Sequence, residues 1–269
     1  MFILNKYRKD GVGLHSFIDG KDGEQYIYTQ FEADFCHFVF PCFDQPDIKA
    51  TFTLCARVPA DWIAISNEAS VGDDVFEHHS QELAKSISQA VAVFPAHPEL
   101  NIEGGHNFCF RESFKIATYL YAICAGAYAY HERHTEGLPA MRIYARKTLV
   151  EDVNHKLMFD VTESGMLFYK DFFGKEYPFR KYDQIFVPEH NYGAMENVGL
   201  VTYNENYMYR GENPTTAKLL RFSITNFHEL AHMWFGNLVT MKWWNDLWLN
   251  ESFATFMSFL AMQRSDRVP

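Results

Sequence analysis

The stretch HELAHMWFGNLVTMKWWNDLWLNE, residues 228–251, sets two histidines four apart, with one glutamate beside the first and another nineteen residues beyond the second. On a helix, positions four apart lie about 40° from overlapping and about 6 Å apart along the axis, so His228 and His232 can reach one ion. Glu229 then projects beside them, where a carboxylate can act as general base in metal-assisted hydrolysis, the chemistry of an HExxH pair. Chance places HExxH in roughly 0.04 of chains of this composition, so the pair alone decides little. Requiring a glutamate at position 251 lowers that figure to about 0.003. Glu251 sits in a second helical stretch, DLWLNESFATFMSFLAMQ, which can cross the first and deliver a third ligand. Two histidines, one glutamate and an open fourth position make a catalytic rather than a structural sphere, and one Zn2+ per chain is expected.

The elements that must position these residues are legible in part. The helix carrying His228 and His232 is expected to be capped by Asn213, with Pro214 at its first position and Gly236 past its end. DQIFVP, GLVTYN and MRIYAR read as strands. Leu149, Val153, Leu157, Val161, Phe168 and Phe172 form an apolar stripe near helical period that stops at Gly174. Earlier in the chain the period changes to two: in TFTLCARV, Phe52, Leu54, Ala56 and Val58 share a face. WIAIS, SISQAVAVF, NFCFRES and the run from Ile116 to Tyr130 continue as expected strands, parted by turn-like stretches such as EGGHN. The pattern predicts a two-domain α+β protein. A β-sandwich covers residues 1–134, read as incomplete because the chain opens in polar, turn-rich sequence, and a catalytic domain covers residues 135–269.

Composition narrows the function classes. With 48% hydrophobic residues, the 269-residue chain can bury a sizeable core. A formal charge of −10 and the lack of a long basic run argue against nucleic acid as a partner. The run Ile116 to Tyr130 is shorter than the ~20 residues of a membrane span, and the N-terminal residues lack the apolar stretch of a signal peptide. Cys36, Cys42, Cys55, Cys109 and Cys124 show no CxxC spacing and read as free thiols in a reducing compartment. The sequon Asn250-Glu251-Ser252 contains the third ligand, which also favours the cytoplasm. His78, His79, His131, His134 and His190 show no ligand spacing. Trp234, Trp243, Trp244 and Trp248 read as core and helix-packing residues.

GAMEN, Gly193 to Asn197, lies between two strand candidates about 30 residues before His228. Joined to HExxH, to Glu251 and to TQFEADFCHFVFPCFDQPDIKATFTL (Thr29 to Leu54), it makes the chain resemble the aminopeptidase N-like family of zinc exopeptidases over nearly its whole length. The resemblance implies a saddle-like β-domain packed on the first part of a thermolysin-like catalytic domain. It implies zinc ligands at His228, His232 and Glu251, a general base at Glu229, and peptides with a free N-terminus as partners. Glu196 would grip the peptide's α-ammonium, with Gln30 and Glu32 reaching the same amine from the first domain. An ammonium facing two carboxylates in a dry cleft is held strongly, and a mid-chain peptide bond cannot replace it. Tyr192 would line the pocket for the first side chain, the backbone of Gly193 and Ala194 would align the substrate as a short edge strand, and Met195, Glu196 and Asn197 would complete the substrate-binding stretch.

One departure from the family pattern bears on activity. The family's oxyanion-binding tyrosine lies downstream of the third ligand, and no tyrosine follows Tyr209 here. The chain is therefore expected to be truncated at its C-terminal end, and an inactive fragment or non-catalytic scaffold is the alternative reading. A thermolysin-like endopeptidase shares the ligand spacing but not GAMEN and TQFE. Epoxide-hydrolysing relatives resemble GGMEN, where this chain has Ala194.

Overall fold

The computed structural model describes residues 3–71, 81–82, 84–89, 92–93, 102, 104–211 and 214–264. The first part contains β1 (Gly13–Ile18), β2 (Gln25–Gln30), β3 (Cys55–Val58), β4 (Ile63–Ser66), β5 (His106–Cys109) and β6 (Ile123–Gly126). Antiparallel pairing gives a four-stranded sheet of order β1-β2-β6-β4 and a separate β3-β5 pair. Period-two alternation assigns the faces. Ile27, Ala64 and Ala125 meet Val58 and Phe110 in one core, so the β3-β5 pair covers one face of the sheet. Leu54 and Ala56 pack partly buried beside Val58 as the alternation requires, whereas Phe52 joins the separate core around Phe31 and Tyr121, and only Cys55–Val58 is extended.

Tyr26, Tyr28, Ile65 and Cys124 point the other way, onto Tyr128, Tyr144, Ile185, Val187 and Leu200 of a second sheet. That sheet consists of β7 (Tyr128–Arg133), β8 (Met141–Arg146), β9 (Asp183–Val187), β10 (Ala194–Met195) and β11 (Leu200–Asn204), in the order β10-β11-β9-β8-β7. Its centre is parallel, β8 to β9 to β11, and both outer pairs are antiparallel. Its far face carries α1 (His155–Phe173), α2 (Thr216–His232) and α3 (Leu247–Arg264) over a core that includes Met158, Val161, Phe222, Phe227 and Met257. The layers therefore run strand pair, sheet, sheet, helices, an α+β arrangement.

Helix ends follow local chemistry. Asn154 caps α1 by accepting from Leu157 N, and Gly174 stops it in the left-handed conformation at φ 60°. Leu149 and Val153 of the expected stripe lie just before this helix. For α2 the expected cap Asn213 lies outside the described residues; Thr215 caps the helix through Lys218 N, and Pro214 precedes it. Helices α1 and α2 approach closely at Gly165, where a Cβ would stand 2.6 Å from the Phe227 ring and 2.9 Å from Leu230.

Several expectations are corrected. The run Ile116 to Tyr130 is not one strand: it contains a 3-10 turn at Thr118–Leu120, then β6, then β7. Its two strands belong to different sheets, and the chain changes sheets at Ala127. Gly126, at φ 151°, allows the change because a Cβ there would press on Gln25 O at 2.9 Å. Residues 84–89, within or beside the expected strand SISQAVAVF, are helical, in keeping with the strong helix formers of QELAK before them. Cys55 and Cys109 form a disulfide, leaving Cys36, Cys42 and Cys124 free. They stand opposite one another in the β3-β5 register, a long-range pairing that spacing alone does not reveal. A cross-strand disulfide persists in oxidising surroundings, so the thiol argument for a reducing compartment falls. Trp234 is core and Trp244 packs half-buried, but Trp243 and Trp248 are 47% and 63% exposed. His78 and His79 lie outside the described residues. No helix among the described residues is long and apolar enough to cross a membrane.

Because α1 supports the helix bearing both histidines, Gly165→Val is expected to destabilise the protein by about 2–3 kcal/mol in urea unfolding, through overpacking against Phe227 and Leu230. Gly20→Ala, with nothing within 4 Å of the added Cβ, should stay within about 0.5 kcal/mol of the parent.

Candidate metal centre

The rotation of α2 about its axis decides which side chains enter the cleft. On its inner side Phe222, Phe227 and Leu230 fill the core, and Asn226 is tied into a buried polar network. Asn226 Nδ2 donates to Gln184 Oε1 of β9 at 3.0 Å, Thr162 Oγ1 of α1 at 3.1 Å and Tyr203 OH of β11 at 3.3 Å. Three elements thus hold one side chain two residues before His228, and the remaining face of α2 turns toward α3.

There the three expected ligands meet. His228 Nε2 lies 3.1 Å from Glu251 Oε2 and 3.0 Å from His232 Nε2, while His232 Nε2 lies 3.7 Å from Glu251 Oε1. The far nitrogens are held by the protein: His232 Nδ1 faces Asn250 Oδ1 at 2.9 Å, and His228 Nδ1 faces Thr255 Oγ1 at 3.4 Å. With Asn250 Oδ1 accepting, Nδ1 of His232 carries the proton and Nε2 presents its lone pair inward. Two imidazole nitrogens and a carboxylate converging on one point form a donor set whose lone pairs repel one another unless a cation or a proton lies between. The field gives the same message. Burial alone would lower the pKa of His232, yet Glu196, Glu251 and Glu229 drive it up to about 10. The residues therefore fit a divalent metal of borderline softness.

Three further glutamates surround this set. Glu229 is buried, and its Oε2 has no hydrogen-bond partner. Burial raises its pKa well above the usual carboxylate range, His232 opposes the rise, and Glu196, Glu251 and Glu32 add to it. Glu196, also buried, is raised by burial against the pull of His232. Its backbone oxygen accepts from Asn237 Nδ2 at 2.8 Å, and its carboxylate lies 3.5 Å from Asn250 Nδ2. Glu32 arrives from the first domain, just past the end of β2, with a pKa raised by burial and then by Glu196 and Glu251. Carboxylate oxygens of Glu32, Glu196 and Glu251 lie within 4.8 Å of one another. Gln30 donates from Nε2 to Met195 Sδ at 3.3 Å, and its buried Oε1 is left without a donor.

The other expected residues divide. Tyr192 is half-exposed beside Glu32, whose charge contributes to raising its pKa after burial. Gly193 O accepts from Asn204 N, and Ala194 with Met195 forms β10, the edge strand of the second sheet. Asn197 is brought elsewhere: its Nδ2 reaches Thr202 Oγ1 at 3.3 Å and its backbone oxygen accepts from Leu200 N, so it closes the turn into β11. Sequence reasoning missed Asn226, Asn237 and Asn250, which position the site, and Tyr119, a buried phenol near Glu196, Glu32 and Glu251 whose pKa is raised first by burial. Asn250 had a signal: one step before Glu251 on a helix, it faces the same neighbour. The others had none at short range. His190, read as a loop residue, is buried, bonded to Tyr192 and Thr202, and its pKa is lowered by burial to about 4.

Known proteins match this arrangement at both ends. The Peptidase M1 N-terminal domain matches residues 5–86, and the Peptidase family M1 domain matches residues 157–267. Aminopeptidase N of Streptomyces lividans is 40% identical over 256 residues, 93% of this chain and 26% of that protein. Aminopeptidase M1-D of Oryza sativa subsp. japonica is 39% identical over 236 residues, 87% of this chain and 24% of that protein. Endoplasmic reticulum aminopeptidase 1 of Rattus norvegicus is 35% identical over 245 residues, 90% and 23% respectively. The chain spans about a quarter of the length of these curated relatives. With the family's N-terminal and catalytic domains matched in order, and named aminopeptidases aligned across both, the chain belongs to peptidase family M1, the aminopeptidase N-like metallopeptidases.

Proposed function

We propose that this chain carries the zinc-binding and amine-binding parts of an aminopeptidase that removes the N-terminal residue of peptides, its second domain being thermolysin-like. The observation that carries the reading is the convergence, in one cleft, of a His₂Glu donor set with carboxylates contributed by both domains. Zinc, when held by His228, His232 and Glu251, supplies Lewis acidity and makes water acidic near neutral pH. Glu229 takes the proton from the attacking water and returns it to the leaving amine. Its buried, unpartnered Oε2 supports that role, since a carboxylate of high proton affinity in a dry pocket accepts a proton readily and does not lose it to solvent. The substrate's ammonium has three donors, matched by Glu196, Glu32 and the orphaned Oε1 of Gln30. The free edge of β10 offers backbone groups to an extended peptide.

The endopeptidase reading is opposed by the same carboxylates. A mid-chain peptide would bury Glu32 and Glu196 side by side with no cation between them, a cost of several kcal/mol. The fully formed set His228, Glu229, His232 and Glu251 weighs against a scaffold that has lost its chemistry.

Purified protein is expected to hold one zinc ion per chain by elemental analysis, and His232→Ala should abolish stoichiometric binding; undiminished zinc in that variant would remove His232 from the ligand set. Carried within a protein of the relatives' length, the site should hydrolyse peptides with a free amine and not their N-acetylated counterparts. Glu196→Ala should lower kcat/KM on free-amine peptides by about 100-fold or more, the equivalent of about 3 kcal/mol for an ammonium deprived of its buried partner. Equal turnover of free and acetylated peptides by the parent protein would overturn the exopeptidase assignment.

A further inference from the structure

Outside the cleft, one cluster of reactive side chains is unused by the chemistry above. Cys36 follows Glu32 by four residues and Cys42 returns to meet it, bringing the two sulfurs and an Asp44 oxygen within 4.8 Å of one another. Neither cysteine is in the Cys55–Cys109 disulfide. A metal is poorly served here, because Asp44 is already engaged. Its Oδ1 accepts from Thr118 Oγ1 at 2.5 Å, and its Oδ2 accepts from His37 N at 3.0 Å and faces His37 Nδ1 at 3.0 Å. What remains is a pair of thiols in contact, one fully buried and one partly exposed.

We propose that Cys36 and Cys42 form a reversible disulfide, a modification site independent of the metal centre. The two thiols are not equivalent. Burial first, and neighbouring charges including that of Asp44 after it, hold both above the ordinary thiol range, and Cys36 is the more deeply buried. Cys42, reachable from solvent, is the attacking thiol, and Cys36, buried behind it, is the resolving thiol. The Cys42 thiolate attacks one sulfur of a small-molecule disulfide, forming a mixed disulfide and expelling one thiolate. The Cys36 thiolate then attacks the Cys42 sulfur, closing the Cys36–Cys42 bond and expelling the second thiolate. The two protons lost by the cysteines end on the two expelled thiols, so the protein is oxidised by two electrons and the small disulfide reduced by two. Burial and the Asp44 charge keep the thiolate fraction low, so exchange is slow.

The bond would tighten the segment that follows the amine-binding residues. Cys36 shares a core with Phe31, which lies between Gln30 and Glu32, and with Met195, the neighbour of Glu196; Cys42 packs against the same core. Cys124, buried between the two sheets, serves as an internal control because no other free thiol is grouped with it among the described residues.

The test is to equilibrate the whole protein with graded mixtures of reduced and oxidised glutathione, trap thiols with an alkylating agent, and map disulfides by mass spectrometry. Cys36 and Cys42 are expected to lose their thiols together and to yield a peptide linked between them, with Cys124 remaining alkylatable after denaturation. Cys36→Ala should accumulate glutathione on Cys42, whereas Cys42→Ser should leave Cys36 a free thiol. The oxidised parent should melt about 5 °C higher than the reduced form, a shift absent in the double variant. The proposal is overturned if both thiols stay free across the range, if the linkage forms only with exchange of Cys55 or Cys109, or if glutathione adds to Cys36 in Cys42→Ser. Should Cys36→Ala not fold, the parent map and Cys42→Ser, altered at the partly exposed position, still decide.

Discussion

Mutual repulsion of crowded carboxylates is the constraint on which the rest of the structure depends. Glu32, Glu196, Glu229 and Glu251 crowd two imidazoles in one cleft, and the carboxylates of three of them lie within 4.8 Å of one another. Two like charges 4 Å apart cost about 4 kcal/mol even at a generous effective dielectric. Left to themselves the side chains would separate or take up protons; burial first, and the neighbouring carboxylates after it, raise the pKa values of Glu32, Glu196 and Glu229. Glu251 moves the other way: burial would raise it, but the hydrogen bond with His228 and the attraction of both imidazoles hold it below the usual carboxylate range. A scaffold that keeps such groups together must be stiff, and it must be built to receive positive charge.

Stiffness comes from tying the two sheets together before the site is reached. Tyr26 and Tyr28 of the first sheet are wholly buried against the second. Arg146 bridges Asp19 on one side to Glu205 on the other, its Nε 2.6 Å from Glu205 Oε1. Lys49 Nζ donates to Asn237 O at 2.9 Å, linking the first domain to the loop after α2. Asn237 in turn donates to the backbone of Glu196. Glu32 and Glu196 come from different domains, and these bridges restrain their spacing against domain motion.

The metal set was legible because its information is local: four-residue spacing on a helix leaves the partner histidine no other direction. The residues proposed to bind the amine had no such periodicity, and Gln30, Glu32 and Glu196 came to attention only through resemblance. Asn197 came with them although its amide faces Thr202. The unread parts are those where the decisive contact is distant in sequence. Asn226 looks like any polar residue on a helix until Thr162, Gln184 and Tyr203 are placed around it. Cys55 and Cys109 carry no sign of pairing until β3 and β5 set them opposite one another. In the run from Ile116 to Tyr130, apolar character correctly foretold burial, but no single-strand reading could reveal that two sheets share it.

The position of Glu251 bears on which peptide bond such a site can reach. It belongs to the histidine set and also to the group formed with Glu32 and Glu196, so the proposed metal-binding and amine-binding regions are adjacent and share one carboxylate. A substrate that satisfies both must present a cation and a carbonyl only a few ångströms apart. In a peptide, the α-nitrogen and the carbonyl carbon of the same residue are separated by two bonds, about 2.5 Å, whereas the next carbonyl is more than a residue's length further on. An ammonium held by Glu32 and Glu196 therefore leaves the first peptide bond as the one within reach of His228, His232 and Glu229. On the proposed reading, selection of the chain end and selection of the bond follow from one short distance, set where α3 crosses α2.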